Sequence, residues 1–240
     1  MTYPERIVPD ETEAGIVAMH LKRYAFALPW CEGRDVLDLG CGTGYGTAFL
    51  AGSARRVVGG DVDEETIAYA RRRYARPNVE FQVLDATSVP FADASFDAVC
   101  SFETIEHVAD PEALVRESAR VLRPAGALLV STPRADRTTL RPANPYHRVE
   151  YARDDLERLL LESFGSVEMY GERRLQTRAH RVLKRLDVLG LRRRSALLRR
   201  ASVITGTPAT EYVTLDDVVI SPEAVERAKV LYAVCTQPRT

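Results

Sequence analysis

The chain has 240 residues, 45% hydrophobic, 28% charged and 8% aromatic, which supports a buried core and excludes collagen-like, low-complexity and wholly disordered classes. No apolar run approaches the ~20 residues of a bilayer span, the first residues lack a signal peptide's pattern, and Cys31, Cys41, Cys100 and Cys235 form no Cys-x-x-Cys pair, so a reducing, cytoplasmic setting is the expectation. The net charge of −1 hides an asymmetry: residues 171–200 carry eleven basic side chains against Glu172 and Asp187, a net of +9 that leaves −10 elsewhere.

In chain order, Thr12 can cap a first helix on which Ile16, Met19, Leu21, Tyr24 and Leu28 spread around an apolar side until Pro29 stops it. Residues 34–40 read as a short buried strand ending in glycines, 47–54 as a helix, 56–61 as a second strand and 64–74 as a helix. Strands over 79–84 and 96–101 follow, and Pro111 suits the first turn of a helix running to Leu122. Arg123-Pro-Ala-Gly126 turns into a fifth strand, 127–131; a helix over about 153–164 and strands over 166–170 and 229–235 complete the pattern. Such alternation requires crossover connections, and it predicts an α/β, doubly wound parallel sheet with helices on both faces.

A single domain over 1–240 is expected, with an N-terminal helix (1–30), a core (31–170), a basic insertion (171–227), and a last strand and tail (228–240). Insertions of that length serve as lids, binding surfaces or oligomer contacts, so a homo-oligomer is among the expectations. Val182, Leu183, Leu186 and Leu189 recur at helical spacing between basic residues, and a second amphipathic pattern spans 191–201. These suit either an anionic partner or helices packing their leucines inward with arginines in water. The interleaved aromatics of a single-stranded RNA platform are missing, so nucleic acid is not the expected partner.

The first strand ends Asp38-Leu39-Gly40-Cys41-Gly42-Thr43-Gly44, where glycines let the backbone turn tightly and approach a ligand. The third glycine comes one residue too early for a dinucleotide fingerprint, and no Lys-Ser/Thr follows to make a phosphate loop. Asp61 ends the second strand, twenty-one residues beyond Gly40, where a carboxylate can accept both hydroxyls of an adenosine ribose. Asp85 ends the third strand within reach of an adenine amino group, and Asp38 can meet an ammonium group. Aspartates at strand ends often only begin turns, but three of them beside one glycine loop point to a nucleotide-like ligand.

Val-Leu-Asp-Leu-Gly-Cys-Gly-Thr-Gly, Val-Val-Gly-Gly-Asp, Leu-Asp-Ala-Thr-Ser-Val-Pro-Phe and Arg-Val-Leu-Arg-Pro-Ala-Gly together resemble class I S-adenosylmethionine-dependent methyltransferases over about residues 30–170. The resemblance implies a Rossmann-like, seven-stranded sheet whose last strand is antiparallel, with S-adenosylmethionine as cofactor. It implies that Asp38, Gly40, Gly42 and Gly44 flank the methionine moiety, Asp61 holds the ribose, Asp85 faces the adenine and Phe102 touches the cofactor. Arg23 resembles the arginine that pairs with the cofactor carboxylate in ubiquinone-pathway O-methyltransferases. His20, Arg23 and Tyr24 lie within about one helical turn, as a lid over the cofactor or as the polar face of a packed helix.

The fourth strand leads into Phe102-Glu103-Thr104-Ile105-Glu106-His107. Two carboxylates three residues apart, an adjacent imidazole and His147 in the loop after the fifth strand suit Mg²⁺ or Mn²⁺. Glu-x-x-Glu-His followed by that histidine resembles small-RNA 2′-O-methyltransferases, which hold a divalent ion there, and Glu5-Arg6-Ile-Val-Pro9 is similar to bacterial sugar and glycan O-methyltransferases. The expected metal ligands are therefore Glu103, Glu106, His107 and His147, with Glu106, His107 and His147 as the catalytic groups. Without a metal, His107 or His147 is the expected base, and Glu106 and His107 can instead merely pair and shape the pocket floor. The expected activity is O-methylation of a small or saccharide-like acceptor. N- or C-methyl transfer and a non-catalytic cofactor-binding module are the alternatives.

Overall fold

The computed structural model describes residues 6–174 and 214–239. Its strands are β1 (Asp35–Leu39), β2 (Arg56–Asp61), β3 (Val79–Val83), β4 (Phe96–Phe102), β5 (Leu122–Pro133), β6 (Phe164–Arg174), β7 (Val218–Ser221) and β8 (Val230–Pro238). Among the described residues they form one sheet in the order β3-β2-β1-β4-β5-β8-β6-β7. Strands β1 to β5 pair in parallel, β8 runs antiparallel to both β5 and β6, and β7 runs antiparallel to β6. This corrects the expected seven strands to eight. The extra one is the short edge strand β7, inside what reads from sequence as insertion, and β6 continues through Arg173 and Arg174. The last-strand β8 is antiparallel as expected, and the amphipathic patterns over 182–201 lie outside the described residues.

The helices are α1 (Ala14–Cys31), α2 (Tyr45–Leu50), α3 (Glu64–Tyr74), α4 (Pro111–Val121) and α5 (Arg153–Leu161). Strand residues alternate between two cores. Leu37, Leu39, Val99, Leu128 and Val130 meet Leu114 of α4 and Leu156 and Leu160 of α5 on one face. Val36, Ala98, Cys100 and Leu129 meet Tyr24, Ala27 and Cys31 of α1 and Leu50 of α2 on the other. Capping explains the sharp starts of two helices. Asp63 accepts from the Thr66 amide at 2.7 Å, and Asp110 accepts from the Ala113 amide at 2.8 Å just ahead of Pro111.

Three expectations fail at element ends. Pro29 lies inside α1 because it removes only one hydrogen bond near the end, and the Glu32 amide still closes the last turn on the Leu28 carbonyl at 3.0 Å. No Thr12 side-chain cap forms: Glu13 is the N-cap residue, without a side-chain hydrogen bond. Likewise Arg123-Pro-Ala-Gly126 does not precede β5 but lies within it, as an irregularity opposite Phe96–Ala98 that leaves Leu122 and Ala127 both paired to β4.

Candidate active site

A cavity of about 410 Å³ opens where β1, β2, β3 and β4 end, the crevice at which an open α/β sheet binds ligands. Gly40 and Gly42 form its floor with positive φ values of 73° and 54°, and nothing lies within 4 Å of where a Gly42 β-carbon would stand. The Gly40 and Cys41 amides donate to the Gly60 carbonyl at 2.8 and 3.0 Å, tying the loop to β2. Gly44 does not line the cavity: at φ 85° it starts α2 against Ala70 and Phe81.

Asp61 lines the cavity and accepts from the Gly42 amide at 3.0 Å, the Asp63 amide at 3.1 Å and Arg6 Nη2 at 3.0 Å. Asp85 lines it too, held in a turn by the Thr87 amide at 2.8 Å and the Thr87 hydroxyl at 2.7 Å. Asp38 does not reach the cavity. It is fully buried behind the loop, accepts from Thr47 Oγ1 at 2.6 Å and Tyr24 Oη at 3.4 Å, and burial pushes its carboxyl up to about 7.

His20, Arg23 and Tyr24 all line the cavity from α1. Tyr24 meets Phe102 edge-on, with ring centroids 5.2 Å apart. Arg23 Nη2 pairs with Glu103 at 3.2 Å while Nη1 donates to His20 Nδ1 at 3.0 Å, and its buried Nε has no hydrogen-bond partner. Burial and then the Arg23 charge hold the His20 imidazole down to about 3, so it is neutral. Burial, the largest single effect, opposes the charge on Arg23, yet Glu103 together with Tyr232 and Tyr45 more than offsets it and the guanidinium pKa rises.

Of the four expected metal ligands the structure brings three together. Glu103 is turned to Arg23 and Ser131 Oγ, 2.9 Å away, and takes no part in the metal-ligand group. The groups that converge are Glu106, His107 and His147, with one ligand atom from each within 4.8 Å of the others. Glu106 is buried, takes a 3.0 Å hydrogen bond from Thr132 on Oε2 and has no hydrogen-bond partner on Oε1. Burial, reinforced by the nearby Glu103 charge, pushes its carboxyl well above the usual range. His147 Nδ1 contacts Glu150 at 2.9 Å and Nε2 contacts the Asn144 amide at 2.9 Å. Neither Glu106 nor His147 lines the main cavity; His107 does.

His107 Nδ1 lies 2.9 Å from the Tyr146 carbonyl, which can only accept, so Nδ1 donates there and Nε2 is the acceptor nitrogen of the neutral ring. The cavity wall also holds Tyr45 and Arg148, to which sequence reasoning gave no role, and Arg6, which it noted only within the Glu5-Arg6-Ile-Val-Pro9 stretch. No local pattern assigns these three to a cavity, because they arrive from a helix start, a long loop and an irregular N-terminal stretch.

The glycine loop, the acid closing β2 and the sheet order define a Rossmann-like fold of the kind methyltransferases share, and residues 37–130 match the family model described as a methyltransferase domain. A relative described as a probable S-adenosylmethionine-dependent methyltransferase of Mycobacterium tuberculosis is 42% identical over 174 residues. That match takes in 70% of this chain and 62% of the relative, so the chain spans less than two thirds of the relative's length. An O-methyltransferase of Penicillium expansum is 35% identical over 143 residues, 55% of this chain and 52% of that protein. In the solved complex of a Haloferax volcanii methyltransferase with the Trm112 activator, a chain overlays at a TM-score of 0.61, with 24% identity over 95% of this chain and 93% of its own; this similarity bears on the fold.

Proposed function

We propose that the protein is an S-adenosylmethionine-dependent O-methyltransferase acting on a hydroxyl of a small or saccharide-like acceptor, with His107 as general base. The observation that supports the O-transfer reading is His107 on the cavity wall with its Nδ1 2.9 Å from the Tyr146 carbonyl, an arrangement in which the neutral imidazole has Nε2 as its proton-accepting nitrogen. Similarity to the Penicillium O-methyltransferase supports the same direction.

The cavity suits the cofactor. Bare glycine backbone at Gly40 and Gly42 allows close approach, Asp61 is an acceptor for ribose hydroxyls, Asp85 for an adenine amino group, and Phe102 an apolar wall. Arg23 is the cation for the cofactor carboxylate, with Glu103 its present partner. Asp38, behind the loop, serves by holding Tyr24 and Thr47 in place. When bound, S-adenosylmethionine supplies an already activated methyl group. The chain has then only to hold an oxygen in line with it and take up the oxygen's proton, which His107 does at Nε2.

Two outcomes test this. Asp61→Ala removes charge-assisted hydrogen bonds worth about 1.5–3 kcal/mol each, so calorimetry should show at least about tenfold weaker binding of S-adenosylhomocysteine. His107→Ala should abolish transfer, read by mass spectrometry over a panel of sugars, phenols and short RNAs, while leaving that affinity unchanged. Unaltered affinity in the first variant or full turnover in the second overturns the assignment.

A second reading keeps a divalent ion, because Glu106, His107 and His147 do converge. Two imidazoles and one carboxylate suit Mn²⁺ better than Mg²⁺, and binding has to displace the Asn144 amide from His147. If it holds, Mn²⁺ binds the purified protein stoichiometrically by paramagnetic resonance and His147→Ala abolishes that binding; an absent signal defeats it.

A further inference from the structure

We infer that Arg6 is a latch on Asp61, engaged before the cofactor arrives and displaced from that carboxylate by the ribose hydroxyls. The inference rests on the reading of Asp61 above and adds a competing internal ligand to it.

The N-terminal stretch is tied across the glycine loop, since Thr43 Oγ1 donates to the Ile7 carbonyl at 2.6 Å and both Arg6 and Ile7 line the cavity. From there Arg6 Nη2 reaches Asp61 Oδ1 at 3.0 Å, Nη1 reaches Asp63 Oδ2 at 2.9 Å, and Nη1 also contacts the Thr66 hydroxyl. A carboxylate offers about four acceptor positions. Three on Asp61 are taken, by the Gly42 amide, the Asp63 amide and Arg6. A vicinal diol donating two hydrogen bonds needs two positions, so one present donor has to leave.

Two of those donors are backbone amides that shape the glycine loop and the entry to α3. Moving either unravels the floor of the site. Arg6 is a side chain on an irregular stretch and can move alone. It also has somewhere to go: Asp63 already holds its other nitrogen and is kept ionised, its carboxyl pulled down to about 2 by the Thr66 amide and Arg6 against the opposing effect of burial. Exchange at Asp61 therefore swaps one charged donor for two hydroxyls without stranding a buried charge.

Cofactor affinity is then a difference between ribose binding and latch binding. In calorimetry on the full chain, Arg6→Ala should bind S-adenosylhomocysteine about fivefold more tightly than wild type, the worth of one partly exposed ion pair. Arg6→Lys, which keeps a charge for Asp61, should bind more weakly than Arg6→Ala. Equal or weaker binding by Arg6→Ala overturns the latch. Independently of any variant, a crystal structure of the wild-type complex should show the ribose on Asp61 with Arg6 gone from it, and Arg6 Nη2 still bonded to Asp61 overturns the inference. Wild-type protein that takes up no S-adenosylhomocysteine at all defeats the cofactor reading itself, and the latch with it.

Discussion

Asp38 shows how far a single side chain's chemistry depends on where the fold puts it. As a sequence feature it is one acid among three at strand ends, and the other two do line the cavity. In the structure it is sealed behind α1 and α2, and burial raises its pKa from 3.8 to about 7. A carboxyl that binds its proton more tightly when folded makes the native state hold more protons than the unfolded one between pH 4 and pH 7. Stability contributed by Asp38 therefore falls as pH rises through that window. Asp38→Asn removes the titration, and denaturant melts from pH 4 to 7 should show a less negative slope of stability against pH than wild type. His20 acts in the opposite sense: its pKa falls to about 3, so its share of stability is present above pH 6.5 and drains away on acidification toward pH 3.

At the scale of elements, α1 is the part whose role could least be read locally. Its apolar residues are spread so widely that their spacing favours Tyr24 no more than Ile16, Met19 and Leu21 for facing inward. The buried set is Gly15, Arg23, Tyr24, Ala27 and Cys31, chosen by what α2 and β4 present. Gly46 makes this docking possible, since a β-carbon there would stand 1.9 Å from the Tyr24 ring. Gly46→Ala forces α1 and α2 apart, at about 1–3 kcal/mol of overpacking. Because Tyr24 shares the cavity wall with Phe102, thermal melts should show the loss of stability and calorimetry a weaker affinity for S-adenosylhomocysteine. By contrast α3 has the expected bounds and α4 starts at Pro111 as expected, ending one residue short of Leu122; the structure adds an acidic cap to each, ahead of an acidic first turn and a basic last turn.

Across the whole molecule, the sheet separates a half whose strand ends line the cavity, β3-β2-β1-β4, from a half built by β5, β8, β6 and β7. Gly171 sits in the second half, where β6 pairs with both β7 and β8, and a β-carbon there would meet the backbone of Ala224 and Val225 at 2.5–2.6 Å. That backbone belongs to the 3-10 segment Pro222–Arg227 and cannot step aside as a flexible side chain can. Gly171→Ala should therefore lower the melting temperature and leave S-adenosylhomocysteine affinity as it is, since distant sites with no shared partners behave additively. A folded variant with impaired binding would mean that the two halves of the sheet are coupled.

Residue spacing alone made legible the alternation of strands and helices, the glycine loop and the acids at the ends of β2 and β3. Each is a local signal, whether a period, a cap or a glycine that a turn requires, and none needs a distant partner to be recognised. The remainder came from packing. It paired Glu103 with Arg23 instead of with Glu106, sealed Asp38 from the cavity, added β7 to the sheet edge and brought Arg6 onto Asp61. Those outcomes turn on which charged group from a remote part of the chain lies nearest once the core has packed, and on which edge amides still need a partner. Such preferences depend on through-space distance and burial, which residue spacing along the chain does not encode.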